Sequence, residues 1–263
     1  MQFRILGHFE VAGDEGTVCT PRAPKQRSLL AYLCLNNGRC LSVDDLVEFL
    51  WRDSAPPTAR AALQVYMSQI RRRLRPLGFD PADLTHVHPG YVLRLDRHGF
   101  DLTEFTRLSS RRYGPRSTAE LEREAEDLRQ ALALWRGPAL ADLRTVPALE
   151  LLGRSLDESW MASYERKLEI QLLLGQERSA LSELFQLAFE YPERETVHGY
   201  LMLALYRSGR PAEALAKYGE LRERLARTLG LEPGDRLRRL HRAMLDREAW
   251  LERPVDGILP VSA

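Results

Sequence analysis

The chain has 263 residues, a formal net charge of +1 and three cysteines. That length suits one or two domains, and the near-neutral charge does not by itself indicate a nucleic-acid or membrane partner. The sparse cysteines form no CxxC pair, which excludes a disulfide framework and favours a reducing compartment. The charged, alternating first residues do not form a signal peptide, and no apolar run approaches the roughly 18 residues of a membrane span.

The first elements are a predicted strand and two predicted helices. Apolar and polar residues alternate over 3–11, which predicts a strand, and residues 17–19 are a candidate partner strand. A stripe of leucines after Pro24 predicts a helix that ends at the Asn37-Gly38 pair. Ser42 is a candidate N-cap for the second helix, because Asp45 follows three residues later.

The most informative stretch is residues 58–75, which predicts a basic amphipathic helix. Leu63, Met67, Ile70 and Leu74 fall on one side at helical spacing, and no acidic residue occurs from Thr58 to Phe79. The opposite side and its flanks carry Arg60, Gln64, Ser68, Arg71, Arg72 and Arg75. Arginine and glutamine suit base edges and arginine suits phosphates, so the pattern predicts a helix that enters a DNA major groove. A merely solvated amphipathic helix is the alternative when this helix is taken alone.

Two short predicted strands follow the basic helix. They cover residues 85–88 and 91–95 and flank the turn pair Pro89-Gly90. The order of elements is then strand, helix, helix, proline-rich loop, basic helix and hairpin. This order predicts a winged helix-turn-helix in which the third helix reads DNA and the hairpin is the wing.

Five further side chains are candidates for DNA contacts around this helix. Thr58 precedes it and serves either as a plain cap or as a phosphate contact at the helix N-terminus. Lys25 and Arg27, at the start of the first helix, are candidate phosphate contacts. On the wing, Arg94 is a candidate for a phosphate or the minor groove, whereas Tyr91 has hairpin packing as its alternative role.

The second half of the chain is predicted to be helical and repetitive. Helices are expected over 120–135 and 155–174. Gly175 and Ala180 recur 34 residues later as Gly209 and Ala214, a period typical of tetratricopeptide (TPR) helix pairs, although these repeats are degenerate. A packing scaffold and surface for protein partners is the expected role, and a groove that binds a ligand or peptide is the alternative.

The predicted fold class is therefore mainly α with a small β component. An N-terminal winged helix-turn-helix over 1–98 precedes an all-α TPR-like domain over 99–253 and a short tail over 254–263. No Gly/Ser linker separates the two domains, so we expect them to pack against each other.

Residues 3–250 resemble the Streptomyces antibiotic regulatory proteins, which are transcriptional activators of actinomycetes. The segments that carry the resemblance in the first half are LGHFEV, PRAPKQRSLLAYLCLNNGRCLSVDDLVEFLW, PPTARAALQVYMSQIRRRL and PGYVLRL. In the second half they include LALWRGPALADL, YERKLE and GRPAEALAKYGELRERLARTLGLEPG. The resemblance implies the short form of the family, with an OmpR-type DNA-binding domain followed by a bacterial transcriptional activation domain.

The resemblance also implies partners and a mode of action. The expected ligand is double-stranded DNA with direct repeats near promoters of an antibiotic biosynthesis cluster, bound by two protomers side by side. RNA polymerase, including a sigma subunit, is the expected protein partner. The loop residues Arg52, Asp53 and Ser54 are candidate polymerase contacts, together with the outer face of the TPR-like half. The expected location is the cytoplasm, at the nucleoid.

Other function classes have little support in the sequence. His86 and His88 lie on one face of a predicted strand, but no metal-ligand spacing accompanies them. No catalytic constellation or phosphate-cradling glycine loop is visible, so we expect no enzyme activity, metal or cofactor. The alternative function is a TPR-like interaction adaptor whose winged domain binds protein. A steep salt dependence of DNA binding would separate the two hypotheses.

Overall fold

A computed structural model describes residues 1–13, 16–111 and 117–252 of the chain. These residues pack into two compact units. Unit 1 comprises residues 1–110 and 130–160, and unit 2 comprises 111–129 and the chain from 161 onward. The predicted tail over 254–263 lies outside the described residues, and the predicted boundary between residues 98 and 99 stays a prediction.

Unit 1 begins with a small sheet in which the predicted strand over 3–11 is divided in two. Strands β1 (Gln2–Arg4) and β2 (Glu10–Ala12) pair antiparallel, and a later strand, β6 (Gly99–Phe100), pairs parallel with β1. The chain leaves the ladder after Arg4 and bends through Gly7, whose φ of +136° is readily adopted only by glycine. The alternation of buried and exposed residues is interrupted at this bend, because Ile5 and Leu6 are both buried, and Phe9 is buried after it.

The central part of unit 1 contains three helices and a second sheet. The bounds are α1 (Pro24–Leu35), β3 (Cys40–Ser42), α2 (Val43–Trp51), α3 (Ala59–Leu74), β4 (Leu84–Val87) and β5 (Gly90–Leu93). Strand β5 lies between β3 and β4 and pairs antiparallel with both. The predicted N-cap of α2 is confirmed, because Ser42 Oγ accepts a 3.0 Å hydrogen bond from the Asp45 amide. This order of three helices and a hairpin is that of a winged helix-turn-helix.

A buried carboxylate connects the first sheet to helix α4 (Asp101–Ser109). Asp101 accepts hydrogen bonds from the amides of Ile5, at 2.9 Å, and Leu6, at 3.0 Å. Burial raises the pKa of Asp101, although these hydrogen bonds act in the opposite direction. The bend between β1 and β2 is therefore held by a side chain almost one hundred residues away in the chain.

A segment from the second half of the chain completes unit 1. Helix α5 (Thr118–Ala133) and helix α6 (Pro147–Leu173) each contribute residues to both units, and residues 134–146 connect them. In space, the connecting segment lies alongside the bend between β1 and β2 and is hydrogen-bonded to it. The Arg136 amide donates to the Leu6 carbonyl at 2.9 Å, and the Leu140 amide donates to the Ile5 carbonyl at 3.0 Å. Leu140 lies in the same buried cluster as Phe3, Phe9 and the apolar face of α3.

Unit 2 contains the predicted helical repeats. Its further helices are α7 (Glu177–Glu190), α8 (Glu195–Arg207), α9 (Pro211–Leu229) and α10 (Asp235–Asp246). Gly175 and Gly209 precede α7 and α9 with left-handed φ values of +70° and +76°, and Ala180 and Ala214 are both fully buried. The recurring glycines thus lie between consecutive helices, and the recurring alanines are buried inside α7 and α9, as a helical repeat requires. None of the described helices has the length and apolarity needed to cross a bilayer.

Candidate nucleic-acid interface

Helix α3 presents one buried face and one exposed face. The buried face is formed by Ala59, Leu63, Met67, Ile70 and Leu74, which anchor the helix in the core of unit 1. The exposed residues are Arg60, Ala61, Gln64, Val65, Ser68, Arg72, Arg73 and Arg75. Sixteen residues at 1.5 Å per residue give a rod of about 24 Å, which is long enough to follow a major groove.

Four of the predicted contact residues form an exposed polar surface on α3 and its C-cap residue. The side chains of Gln64, Ser68, Arg72 and Arg75 are exposed, and none forms a side-chain hydrogen bond or ion pair with another described residue. The donors of arginine and glutamine are therefore available to a ligand.

Arg71 has a structural contact that its charge alone did not indicate. Its side chain is half-buried, and Nε donates a 2.7 Å hydrogen bond to the Leu84 carbonyl at the start of β4. Arg71 thus links the helix to the hairpin. Arg73 has a comparable role, since its Nε donates to the Thr20 carbonyl at 3.2 Å.

The N-terminal end of α3 is near acidic residues of α2. Arg60 forms an exposed ion pair with Asp44. Thr58 occupies the N-cap position, but among the described residues its side chain caps no backbone amide. The capping role predicted for Thr58 is thus not seen, and the phosphate contact stays a prediction.

The two candidates on α1 have different surroundings. The Lys25 ammonium lies 4.4 Å from the centre of the Trp51 ring, in cation–π geometry, and the residue remains exposed. Arg27 is directed inward: its Nε donates to Asp142 at 2.6 Å and its NH2 group to the Phe9 carbonyl at 2.7 Å. Arg27 therefore connects α1 to the segment 134–146 within unit 1.

The two wing candidates also separate into a buried and an exposed residue. Tyr91 is only 5% exposed and packs edge-on against the His86 ring, with the ring centres 5.1 Å apart. This agrees with its alternative role in hairpin packing. Arg94 directly follows β5 and its side chain is exposed, while its amide donates to the Asp83 carbonyl at 2.7 Å.

The candidate polymerase loop is a short, exposed turn. Residues Arg52–Ser54 form one turn of 3-10 helix, and Ser54 Oγ donates to the Trp51 carbonyl at 2.8 Å. Arg52 has a φ of +48°, an unfavourable conformation for a residue with a side chain. The loop therefore has a defined shape on the surface of unit 1.

Sequence reasoning did not single out Val65 and Ala61. Both lie on the exposed face of α3 between the polar candidates. The helical spacing of the sequence also places them there, but an apolar side chain carries none of the cationic or amide donors that indicate a DNA contact.

Comparisons with known proteins agree with this arrangement. Residues 19–93 match the family described as transcriptional regulatory protein, C terminal, and residues 100–245 match the family described as bacterial transcriptional activator domain. The regulatory protein DnrI of Streptomyces peucetius is 35% identical over 259 residues, which are 96% of this chain and 95% of DnrI. The regulatory protein AfsR of Streptomyces coelicolor is 36% identical over 95% of this chain and 25% of AfsR.

A mycobacterial regulator is similar in both sequence and structure. The transcriptional regulatory protein EmbR of Mycobacterium tuberculosis is 34% identical over 93% of this chain, and the chain spans 63% of the length of EmbR. A solved structure of EmbR in complex with a low affinity phosphopeptide matches with a TM-score of 0.85 at 33% identity, over 97% of this chain and 66% of that chain. The predicted fold class, mainly α with a small β component in a winged helix-turn-helix followed by TPR-like helices, is confirmed.

Proposed function

Because the chain belongs to the Streptomyces antibiotic regulatory protein family of transcriptional regulators, we propose that it is a sequence-specific DNA-binding activator. In this proposal it binds direct repeats near promoters of a secondary-metabolite gene cluster and recruits RNA polymerase there. It acts in the cytoplasm, at the nucleoid, by binding and not by catalysis. The similarity to the regulatory protein DnrI, over 96% of this chain and 95% of DnrI, supports a role in regulation.

The observation that carries the proposal is the exposed, unpaired polar face of α3. The side chains of Gln64, Ser68, Arg72 and Arg75 form no hydrogen bond or ion pair with other described residues, and the chain has no acidic residue from Thr58 to Phe79. The arginine and glutamine side chains of this face can donate hydrogen bonds to the acceptor atoms of base edges and to phosphate oxygens. Arg94 on the wing adds an exposed cation beside the hairpin.

Direct repeats favour two protomers in the same orientation, side by side on DNA. Half-sites about one helical turn apart would place both copies on one face of the duplex. A footprint that covers one half-site at saturation would contradict this part of the proposal.

Two surfaces are proposed to meet polymerase. The turn Arg52–Ser54 lies outside the exposed face of α3 and has a fixed shape, which suits a contact with a sigma subunit. On unit 2, Phe185 and Phe189 lie one turn apart on α7, and Phe189 is 86% exposed. Exposed aromatic side chains of this kind are common anchors of protein interfaces.

The same exposed aromatic pair favours the second candidate function, an interaction adaptor whose winged domain binds protein. The two candidates differ in their response to duplex DNA and salt. An adaptor would enrich no duplex from a random pool, whereas a DNA-binding activator would enrich a repeated motif.

The test is a selection of duplexes from a random pool by the full chain, followed by gel-shift titrations at several salt concentrations. We expect the logarithm of affinity to fall with the logarithm of salt concentration by about 0.9 per neutralised phosphate. Arg72→Ala should weaken binding and reduce that slope by about one unit.

The matched control is Arg154→Ala, which removes another exposed arginine of unit 1 that is paired with Glu150. It should leave both affinity and slope unchanged. Equal binding by Arg72→Ala and the wild type would remove this face of α3 from the interface.

A further inference from the structure

Val65 is an exposed apolar side chain on the polar face of α3. It is 50% exposed, and it is absent from the hydrophobic cluster of unit 1 and from the half-buried side chains packed against that cluster, within the described residues. Valine is also a weaker helix former than alanine. Neither packing nor helix propensity therefore accounts for valine at this position.

The helical geometry places Val65 near the centre of the exposed face. Val65 follows the buried Leu63 by two residues, which turns its side chain by about 200° around the helix axis. Its neighbours one turn away are Ala61 and Ser68. Arg72 lies on the same face, two turns after Val65. The small side chains of Ala61 and Ser68 leave the Val65 methyl groups prominent, so that they would meet the floor of a groove entered by this face.

The major groove offers one apolar group to such a side chain. It presents donors and acceptors at every base pair, but only thymine adds a 5-methyl group. Valine is stiff at χ1 in a helix, with one strongly preferred rotamer, so its methyl groups are held in place before contact. This costs less conformational entropy than ordering a longer side chain.

We propose that Val65 contacts the 5-methyl group of a thymine and makes that base pair a determinant of operator specificity. The proposal rests on the proposed DNA binding by α3. Arginines of the same helix would supply phosphate and guanine contacts, and Val65 would distinguish thymine from cytosine, which lacks the methyl group.

The experiment replaces each thymine of the selected operator, one at a time, by deoxyuridine, which removes only the 5-methyl group. The full-length wild-type protein should lose about fourfold in affinity at one thymine per half-site, as expected for burial of one methyl-sized group. Val65→Ala should bind the unmodified operator about fourfold more weakly and should be insensitive to deoxyuridine at that thymine. Val65→Thr, which keeps one methyl group, should retain part of the sensitivity.

Leu151→Ala is the matched control, since Leu151 is another exposed apolar residue of unit 1. It should keep the wild-type pattern at every thymine. The midpoint of thermal unfolding of Val65→Ala should be no lower than that of the wild type, which would separate a lost base contact from a damaged fold.

The outcomes separate this inference from the proposed function. Enrichment of no duplex by the wild type would overturn both. Specific binding that is insensitive to every deoxyuridine, or a Val65→Ala protein that keeps the wild-type sensitivity, would overturn the thymine contact alone.

Discussion

Two neighbouring arginines of α3 have different surroundings. Arg71 is half-buried and donates to the Leu84 carbonyl, so it fixes the hairpin against the helix. Arg72 is exposed and pairs with no described residue. The same charged group therefore stabilises the fold at one position and is available to DNA at the next.

This difference predicts different consequences of removing each side chain. Arg71→Ala should lower the free energy of unfolding by about 1 to 2 kcal/mol, because the Leu84 carbonyl loses its charged donor. Arg72→Ala should leave stability within about 0.5 kcal/mol of the wild type, as is usual for an exposed residue. Urea unfolding of both variants measures this, and equal losses of stability would contradict the role assigned to Arg71.

A buried histidine in α8 predicts a loss of stability in acid. Burial lowers the pKa of His198 below its ordinary value of 6.5, and the nearby cations Arg224 and Lys217 lower it further. Below pH 6.5 the unfolded chain therefore binds a proton that the folded chain still excludes. Stability from this group is present above pH 6.5 and is lost as the pH falls through the lowered pKa.

Urea unfolding between pH 7.5 and pH 5 tests the effect. His198→Gln should flatten the decline in stability over this range, whereas His8→Gln, which changes an exposed histidine, should not. An unchanged pH dependence in His198→Gln would show that His198 does not contribute.

At the scale of elements, the segment 134–146 is as much a part of unit 1 as its strands. Asp142 accepts a hydrogen bond from the Phe9 amide at 2.7 Å and pairs with Arg27. Arg144 pairs with Asp157 on α6, and the Asp157 carboxylate accepts from the Ala139 amide at 2.9 Å. The carboxylates of Asp142 and Asp157 thus fix the segment to the first half of the chain and to α6, respectively.

Asp142→Ala should destabilise unit 1 more than removal of an exposed carboxylate. The change leaves Arg27 and the Phe9 amide without their acceptor, which should cost about 2 to 3 kcal/mol. Glu150→Ala, which breaks an exposed pair with Arg154, should cost less than about 1 kcal/mol. Chemical unfolding of both variants measures the two losses of stability. Similar losses would contradict the structural role assigned to Asp142.

Local patterns predicted some of these elements and not others. The α3 stripe, the Ser42 cap and the glycines of the repeats follow from short-range spacing, which a sequence displays directly. The contacts of Asp101 with Ile5, and of Asp142 with Phe9, join residues 96 and 133 positions apart. No local periodicity encodes such pairs, so the sequence could not assign residues 134–146 to unit 1. For the same reason, it could not distinguish the inward Arg27 from the exposed Arg72.

At the scale of the whole molecule, a fragment that ends at residue 98 would lack much of unit 1. It would lose strand β6, the Asp101 carboxylate and the entire segment 134–146. Residues 1–98 alone should therefore show no cooperative thermal transition, whereas the full chain should unfold cooperatively. Circular dichroism melts of both measure this, and a sharp transition in the fragment would contradict the dependence of unit 1 on the later residues.

The interrupted sequence of unit 1 has a consequence for synthesis on the ribosome. Helix α3 ends at Leu74, but the last residues of its unit are those up to 160. At about 5 to 20 residues per second, α3, the helix proposed to read DNA, leaves the ribosome on the order of ten seconds before its unit is complete. During that interval Ile5, Leu6 and Phe9 lack their Leu140 and Asp142 partners. A nascent chain should therefore be an early client of chaperones, and its affinity for DNA should appear only after residue 142 has emerged.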